Sequence, residues 1–295
     1  YYLRFILKFI WENVVFKKEI FKLEVSHDVD RPSAYGFGRK RDLIKQMGIS
    51  VIRRKDLVSA FQAPFIYYSS RKKLNDNDPY VTFNWLMRLS EEQNIKSTFY
   101  FLSGKTSDRY DGNYELNHPA ITDLLRTIKR REHLIGLHPS YETFNKPKLM
   151  LEEANKLIKI CADEKIIQES WGVRMHYLRW GWPITAYAIE SAKLDFDTTL
   201  SYADKSGFRC GTCHHFKMFD PKEQRSIDLR QHPLIVMECS VLGYEGYGIS
   251  EEAFLLMNKL KQRCKNVNGC FTLLWHNSSF TSVCEKELYK RIISC

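Results

Sequence analysis

The chain has 295 residues, of which 44% are hydrophobic and 14% aromatic, so it can bury a large core and is neither disordered nor fibrous. Its 45 Lys and Arg against 35 Asp and Glu give a net charge of +10, which would suit an anionic partner such as a nucleotide-sugar or a phosphorylated lipid head group. The basic residues lie in short, scattered runs, however, so a well-solvated basic surface is the simpler reading and we expect no nucleic-acid binding. The eight cysteines are dispersed through a chain too large to need disulfides, which predicts reduced thiols and a cytoplasmic location.

The first sixteen residues are aromatic and apolar, but Arg4, Lys8 and Glu12 interrupt them every four residues. This segment is too short and too charged to span a bilayer, and it has no signal-peptide cleavage pattern. We therefore predict an amphipathic helix over residues 1–21, docked on a single domain formed by residues 22–295. The alternative is a peripheral contact of this helix with a membrane surface.

Seven apolar runs with strand character follow, and helical patterns separate most of them. The predicted strands are 23–29, 96–102, 133–138, 170–177, 196–200, 234–240 and 270–276. The predicted helices are 79–94, 119–131, 146–165, 183–192 and 250–264. A mixed, polar excursion with helical pieces is predicted at 39–68 and a long loop at 201–231. Strands that alternate with helices pair in parallel, and seven such units predict a closed or nearly closed (β/α) barrel.

Polar side chains stand at or near the ends of these predicted strands: Asp28, Asp30, His138, Arg174, His176, Asp197, Glu238 and His276. In a parallel barrel all such ends lie on one face, which is where these folds carry out chemistry. Because side chains in a strand repeat every two residues, Asp28 and Asp30 point to the same side. Two neighbouring carboxylates are costly unless they share a cation or a proton, although an Asp-x-Asp before Pro32 also fits simple turn chemistry.

Carboxylate and imidazole ligands around an open position are typical of a catalytic zinc-type site, in which the metal makes hydroxide available at neutral pH. Asp30 and His138 would be metal ligands, Asp28 the general base and His276 the general acid. Arg174 would restrain Asp28 through a two-pronged contact that Lys cannot make.

Four motifs in this order resemble those of a known family: Ser26–Asp30 (SHDVD), Glu132–His138 (EHLIGLH), Gly172–Arg174 (GVR) and Leu274–His276 (LWH). They are similar to the motifs of the polysaccharide deacetylases, carbohydrate esterase family 4 with the NodB-homology domain, over about residues 22 to 278. The resemblance implies a distorted seven-stranded parallel (β/α) barrel, one divalent metal ion, with zinc expected, and removal of an acetyl group from an amino-sugar of a cell-surface polysaccharide or its precursor. It also implies the roles given above for Asp28, Asp30, His138, Arg174 and His276. The segments Pro139–Tyr141 and Trp275–Ser278 look like a divergent branch linked to bacterial surface-polysaccharide (O-antigen) biosynthesis.

One position departs from the family pattern. The second metal histidine of the family stands four residues after the first, and here that position is Glu142. Glu142 can itself bind a divalent cation. His176, on the same side of an extended strand as Arg174, is the other candidate, and we favour it because it preserves an Asp-His-His set.

The departure leaves open a second function, a catalytically inactive carbohydrate-binding protein on the same fold. A metal-dependent amidohydrolase that acts on a non-sugar amide is a third possibility. For substrate binding, the aromatic residues near the predicted site would stack on sugar rings, although each is equally plausible in the core. These residues are Tyr141, Tyr177, Trp180, Trp182 and Tyr202.

Overall fold

The computed structural model describes residues 2–16, 19–52 and 55–294. Its centre is a nine-stranded sheet in the order β6-β7-β5-β4-β3-β2-β1-β9-β8, in which only β6 and β7 pair antiparallel. The strands are β1 (Lys22–Val29), β2 (Thr98–Leu102), β3 (Leu134–His138), β4 (Gly172–Val173), β5 (Phe196–Asp197), β6 (Phe216–Asp220), β7 (Arg225–Gln231), β8 (Val236–Met237) and β9 (Cys270–Leu274). All seven predicted strands are present, so the parallel α/β architecture is confirmed.

Helices separate most of the strands along the chain. They are α1 (Tyr2–Ile10), α2 (Lys40–Ile52), α3 (Leu57–Ser69), α4 (Phe83–Glu92), α5 (Pro119–Arg130), α6 (Pro147–Asp163), α7 (Ile184–Ser191), α8 (Glu251–Asn266) and α9 (Val283–Ile293). Of these, α9 has no counterpart in the sequence analysis. No helix in the described part of the chain is long and apolar enough to cross a bilayer.

The helices begin where the sequence supplies start signals and pack through one apolar face. Pro119 occupies the first position of α5, where a missing N–H costs nothing. Ser250 caps α8 by accepting a hydrogen bond from the Ala253 amide at 3.1 Å. The apolar face of α5, including Ile121, is fully buried against the sheet. Burial of such side chains supplies the main driving force for this layered fold.

The barrel is not closed, because the edge strands of the sheet, β6 and β8, do not pair with each other. Two backbone hydrogen bonds connect the segment after β5 with the segment just before β8, from the Leu234 amide to the Leu200 carbonyl at 3.2 Å and from the Gly207 amide to the Ile235 carbonyl at 2.8 Å. The prediction of an uninterrupted loop over 201–231 is wrong, because a β6–β7 hairpin occupies its second half. In β7 only Ile227 and Leu229 are apolar and buried, between exposed polar neighbours, so the strand pattern is too short to stand out.

The fourth predicted strand is shorter than expected. Pairing with β3 and β5 ends at Val173, and His176–Leu178 form a single 3₁₀ turn. Residues 1, 17, 18, 53, 54 and 295, which belong to predicted segments, lie outside the described residues. The division into residues 1–21 and one domain of residues 22–295 stays a prediction.

Candidate active site

The carboxyl ends of the parallel strands surround a cavity of about 280 Å³. Five of the residues predicted from strand ends line it: Asp28, Asp30, His138, His176 and His276. A larger cavity of about 840 Å³ lies at the opposite end of the barrel, beside α1, and contains none of these groups. The convergence follows from topology, since parallel strands direct all their carboxyl ends to the same face.

Three atoms that could each donate a lone pair to a metal ion converge in this cavity. Oδ1 of Asp30 lies 3.2 Å from Nε2 of His138 and 3.5 Å from Nε2 of His176. His138 Nδ1 is 2.6 Å from the Arg174 carbonyl oxygen. Because a carbonyl only accepts, Nδ1 of His138 carries the proton, and in the neutral ring Nε2 presents a lone pair to Asp30.

His176 is oriented in the same way by Asp111. The two residues meet at 2.9 Å between Nδ1 and Oδ1, so the imidazole donates to the carboxylate and directs Nε2 towards Asp30. Burial alone would raise the pKa of Asp111, but the hydrogen bond from His176 and backbone amide donors lower it to about 2. Asp111 therefore remains an anion that holds the ring.

Asp111 was not predicted from the sequence. It lies in the polar loop after β2, and its carboxylate also accepts hydrogen bonds from the backbone amides of Thr106, Ser107 and Tyr141, each at 2.8 Å. No local pattern marks it, because its partner is sixty-five positions away in the chain.

The donor set of Asp30, His138 and His176 fits a divalent cation. All three ligand atoms lie within 4.8 Å of one another. Asp30 Oδ1 and His138 Nε2 are buried, and neither has a hydrogen-bond partner of acceptable geometry. Converging lone pairs repel unless a positive charge lies between them, and one carboxylate with two imidazoles is a ligand set that zinc-type ions accept.

A proton competes with a cation for these atoms. Burial lowers the pKa of His176, but the negative charge of Asp30 and the hydrogen bond to Asp111 outweigh it and raise the pKa to about 9. Metal binding here would therefore release a proton.

Arg174 and Asp28 form a buried ion pair at the edge of the cavity. Nη1 of Arg174 donates a hydrogen bond to Oδ1 of Asp28, with the two atoms 3.0 Å apart. The predicted two-pronged contact is not formed. The Nε atom instead donates to the Thr198 carbonyl at 3.2 Å, and Nη1 also reaches Ser26 Oγ at 2.8 Å. The ring of Tyr100 lies under the guanidinium at 4.7 Å, so Arg174 is held on several sides.

His276 is paired with Glu238 through a 2.5 Å contact between Nδ1 and Oε1. Burial lowers the pKa of His276, but the charge of Glu238 outweighs it and raises the pKa well above the usual value. The Nε2 atom of the ring lies on the cavity side, 3.7 Å from Asp30 Oδ2. Glu238, which had been noted only as a strand-end residue, also accepts from Ser279 Oγ at 3.0 Å.

Glu142, the alternative third ligand, does not join this group. Its carboxylate lies 3.3 Å from Nη1 of Arg179 and 3.9 Å from Nζ of Lys146, and its side chain is 41% exposed. The structure thus brings His176, and not Glu142, to Asp30 and His138.

The predicted substrate-binding aromatics divide into two sets. Tyr177 lines the cavity, with its backbone in the left-handed region at φ 58° and ψ 22°. Tyr141 lies behind it, with ring centroids 5.4 Å apart. The other three do not line the cavity. Trp180 packs against the main core, Tyr202 lies beside Arg209, and Trp182 is exposed. An exposed tyrosine that we did not predict, Tyr244, does line it.

No protein-family model matches this chain, and no curated protein matches it in sequence. Solved structures do match. A candidate polysaccharide deacetylase from Mycobacterium smegmatis has a TM-score of 0.56 at 14% identity, over 95% of this chain and 85% of the other. A candidate polysaccharide deacetylase from Pseudomonas aeruginosa PAO1 has a TM-score of 0.53 at 11% identity, over 93% and 84%. The chain has the fold of the polysaccharide deacetylases.

Puue allantoinase has the same fold, with a TM-score of 0.53 at 10% identity over 93% of this chain and 83% of the other. At such identities the likeness concerns the fold alone. The deacetylase fold predicted from the four sequence motifs is therefore confirmed, whereas the resemblance to the O-antigen branch stays a prediction.

Proposed function

We propose that this chain is a metal-dependent hydrolase that removes an acetyl group from an amino-sugar of a cell-surface polysaccharide or its precursor. The observation that carries the proposal is the buried convergence of Asp30 Oδ1 and the Nε2 atoms of His138 and His176. These three residues would hold one divalent cation, with zinc as the expected ion. When bound, such a cation polarises the amide carbonyl and acidifies water.

The remaining groups supply the proton transfers of amide hydrolysis. Arg174 fixes Oδ1 of Asp28, which leaves Oδ2 on the cavity side, 3.9 Å from His138 Nε2. As water attacks the acetyl carbon, Asp28 Oδ2 takes the proton that the water loses. As the C–N bond breaks, the amide nitrogen takes the Nε2 proton of His276, acetate leaves, and the amine is freed. Glu238 stabilises the imidazolium until that step.

The cavity limits what can bind. A volume of about 280 Å³ is at the lower end for ligand sites and accommodates roughly one sugar ring. Tyr177 and Tyr244 offer aromatic surface at its rim, and an exposed ring of this kind suits the apolar face of a sugar. Two of the structural neighbours are candidate polysaccharide deacetylases, which favours the same substrate class. A cytoplasmic location and a role in surface-polysaccharide synthesis belong to this proposal and rest on the sequence.

A second candidate is hydrolysis of a non-sugar amide by the same groups. It is favoured by the allantoinase among the structural neighbours and by the small cavity, which also suits a compact cyclic amide. The proton transfers from water to Asp28 and from His276 to nitrogen would be the same.

Acetate release from a panel of N-acetylated amino-sugars and oligosaccharides tests the first candidate, and a cyclic ureide in the same panel tests the second. We expect Asp28→Asn to lower the rate by about 10³-fold or more. Asp108→Asn, which changes a 97% exposed carboxylate outside the cavity, is the matched control. Equal acetate release by the wild type and Asp28→Asn would refute the proposed chemistry, and activity on the ureide alone would replace the sugar substrate.

The ligand set is tested by elemental analysis and metal titration. Asp30→Asn and His176→Gln are expected to lose stoichiometric metal, whereas Glu142→Gln keeps it. If Glu142→Gln loses the metal and His176→Gln retains it, the ligand assignment is wrong. If the wild type binds glycan but no metal, the non-catalytic alternative replaces this proposal.

A further inference from the structure

The helical pair α2–α3, inserted between β1 and β2, exposes an apolar face that the barrel does not use. None of the 13 residues of α3 is charged. One face of α3 is buried through Ala60, Ala63 and Ile66. The opposite face exposes a stripe at helical spacing: Leu57 (66%), Val58 (67%), Phe61 (88%), Phe65 (66%) and Tyr68 (53%). A surface helix of a soluble protein is normally polar on its outer face, so this stripe requires an explanation.

The stripe cannot turn inwards, because the pair has its own small core. Ala63 and Ile66 pack with Tyr35 and Tyr80 in a cluster separate from the main core. Tyr35 also lies 2.6 Å from Ser50 Oγ of α2 through its hydroxyl. Because one side of α3 is held in this small core, the apolar stripe on its other side stays exposed.

Basic residues precede and follow α3 in the chain. In the described residues these are Lys55, two positions before α3, and Arg71, Lys72 and Lys73 just after it, and all four are exposed. The guanidinium of Arg71 lies 5.5 Å above the ring of Tyr68 at the end of the stripe. Exposed apolar side chains on a helix favour the boundary between head groups and acyl chains, and flanking Lys and Arg residues are attracted to anionic lipid head groups.

We propose that the exposed face of α3, from Leu57 to Tyr68, docks on a bilayer surface that contains anionic phospholipids. The helix is about 20 Å long, which is too short to span the hydrocarbon core, so it would lie in the head-group region. Charge complementarity favours lipid over a second copy of this chain. A second copy would bring its own Lys55 and Arg71–Lys73 against the same residues, on a protein whose net charge is +10.

The helical pair that carries this surface is attached at the catalytic end of the barrel. Just beyond the end of β1, the carboxylate of Asp78 accepts hydrogen bonds from the amides of Ala34 at 2.9 Å and Tyr35 at 3.1 Å. By contrast, α1 flanks the opposite end of the barrel, where Phe5 shares a cavity with Asn268, just before β9. Contact through α3 would therefore hold the catalytic end of the barrel, and not the end beside α1, near the membrane. In combination with the proposed function, on which this last step rests, it favours a substrate carried on a lipid anchor.

Flotation with vesicles tests the docking without any enzymatic readout. We expect the wild type to bind phosphatidylcholine vesicles that contain phosphatidylglycerol. Its binding to pure phosphatidylcholine vesicles should be weaker by at least about tenfold. The double variant Phe61→Glu/Phe65→Glu should lose binding by about tenfold or more, because both rings lie at the centre of the stripe. Phe9→Glu is the matched control, since Phe9 is 82% exposed on α1 and its replacement should leave binding within about twofold. Circular dichroism and thermal melting verify that both variants fold.

Three outcomes would overturn the proposal. The first is a wild type that does not float with anionic vesicles. The second is a Phe9→Glu variant that loses binding while the double variant keeps it, which would assign membrane contact to α1. The third is a dimeric wild type that the double variant converts to a monomer, which would make this face an interface between copies. Because acetate release is not measured, failure of the docking is distinguishable from failure of the proposed hydrolase activity.

Discussion

Nδ1 of His176 lies 2.9 Å from Oδ1 of Asp111, and this contact directs the other nitrogen of the ring at Asp30. An outer carboxylate of this kind fixes the tautomer of a metal-binding histidine and makes it a stronger ligand. We expect Asp111→Asn to weaken divalent-metal affinity by about 10- to 100-fold, measured by competition with a chromophoric chelator.

The control for Asp111 is Asp108→Asn. Both residues belong to the loop that follows β2, but the Asp108 carboxylate is 97% exposed and contacts only the Lys105 ammonium, at 2.8 Å, among the ion pairs of the described residues. The divalent-metal affinity of Asp108→Asn should equal that of the wild type. If the two variants bind metal equally well, the carboxylate of Asp111 does not support the site.

Arg174→Lys tests how Asp28 is held. Lysine keeps the positive charge but cannot reach Asp28 Oδ1 and the Thr198 carbonyl together, as the guanidinium does. The misplaced carboxylate should lower kcat by about 10²-fold with KM changed by less than about twofold, and the free energy of unfolding should fall by about 2 kcal/mol. Steady-state kinetics and urea denaturation measure the two effects. The control is Arg131→Lys, at the ion pair with Glu91 away from the cavity. It should leave kcat unchanged and alter the free energy of unfolding by no more than about 1 kcal/mol. Equal kinetic losses in both variants would contradict a specific role for Arg174.

His27 predicts a pH dependence of stability. Its Nδ1 donates to the Trp275 carbonyl at 2.7 Å, and burial lowers its pKa from 6.5 to about 4. His27 becomes protonated below about pH 6.5 in the unfolded chain, but only near pH 4 in the folded protein. The free energy of unfolding therefore decreases as the pH falls from 6.5 to 4. Between pH 7 and pH 5 the wild type should lose about 2 kcal/mol more than His27→Asn, measured by urea denaturation at both pH values. Parallel losses in the two proteins would mean that folding does not lower the pKa of His27.

Gly112 lets the loop of Asp111 approach Asp30 closely. A methyl group on its Cα would lie 2.1 Å from the backbone oxygen of Asp30, which cannot move aside as a flexible side chain does. Gly112→Ala should displace the loop or Asp30 and lower metal affinity by about tenfold or more. Gly48→Ala, in α2 with no atom within 4 Å of the added methyl, should keep wild-type affinity and gain up to about 1 kcal/mol of stability. Wild-type metal affinity in Gly112→Ala would show that the close approach is not needed.

The sequence by itself determined the architecture and most of the mouth of the barrel. Alternating strand and helix patterns require parallel pairing, and parallel pairing places every strand end on one face. For that reason Asp28, Asp30, His138 and His276 could be assigned to a common site before any coordinates were known.

Only the tertiary structure decided which groups complete that site. The choice of His176 over Glu142, the support from Asp111 and the exposure of the α3 stripe all depend on the paths of loops and on contacts between distant segments. Loops have no repeating pattern that reveals such contacts, and an apolar helix has the same sequence whether its second face is covered or not. Local periodicity fixes the direction of a side chain along its own strand, but the partner that it meets there is set by the packing of the whole chain.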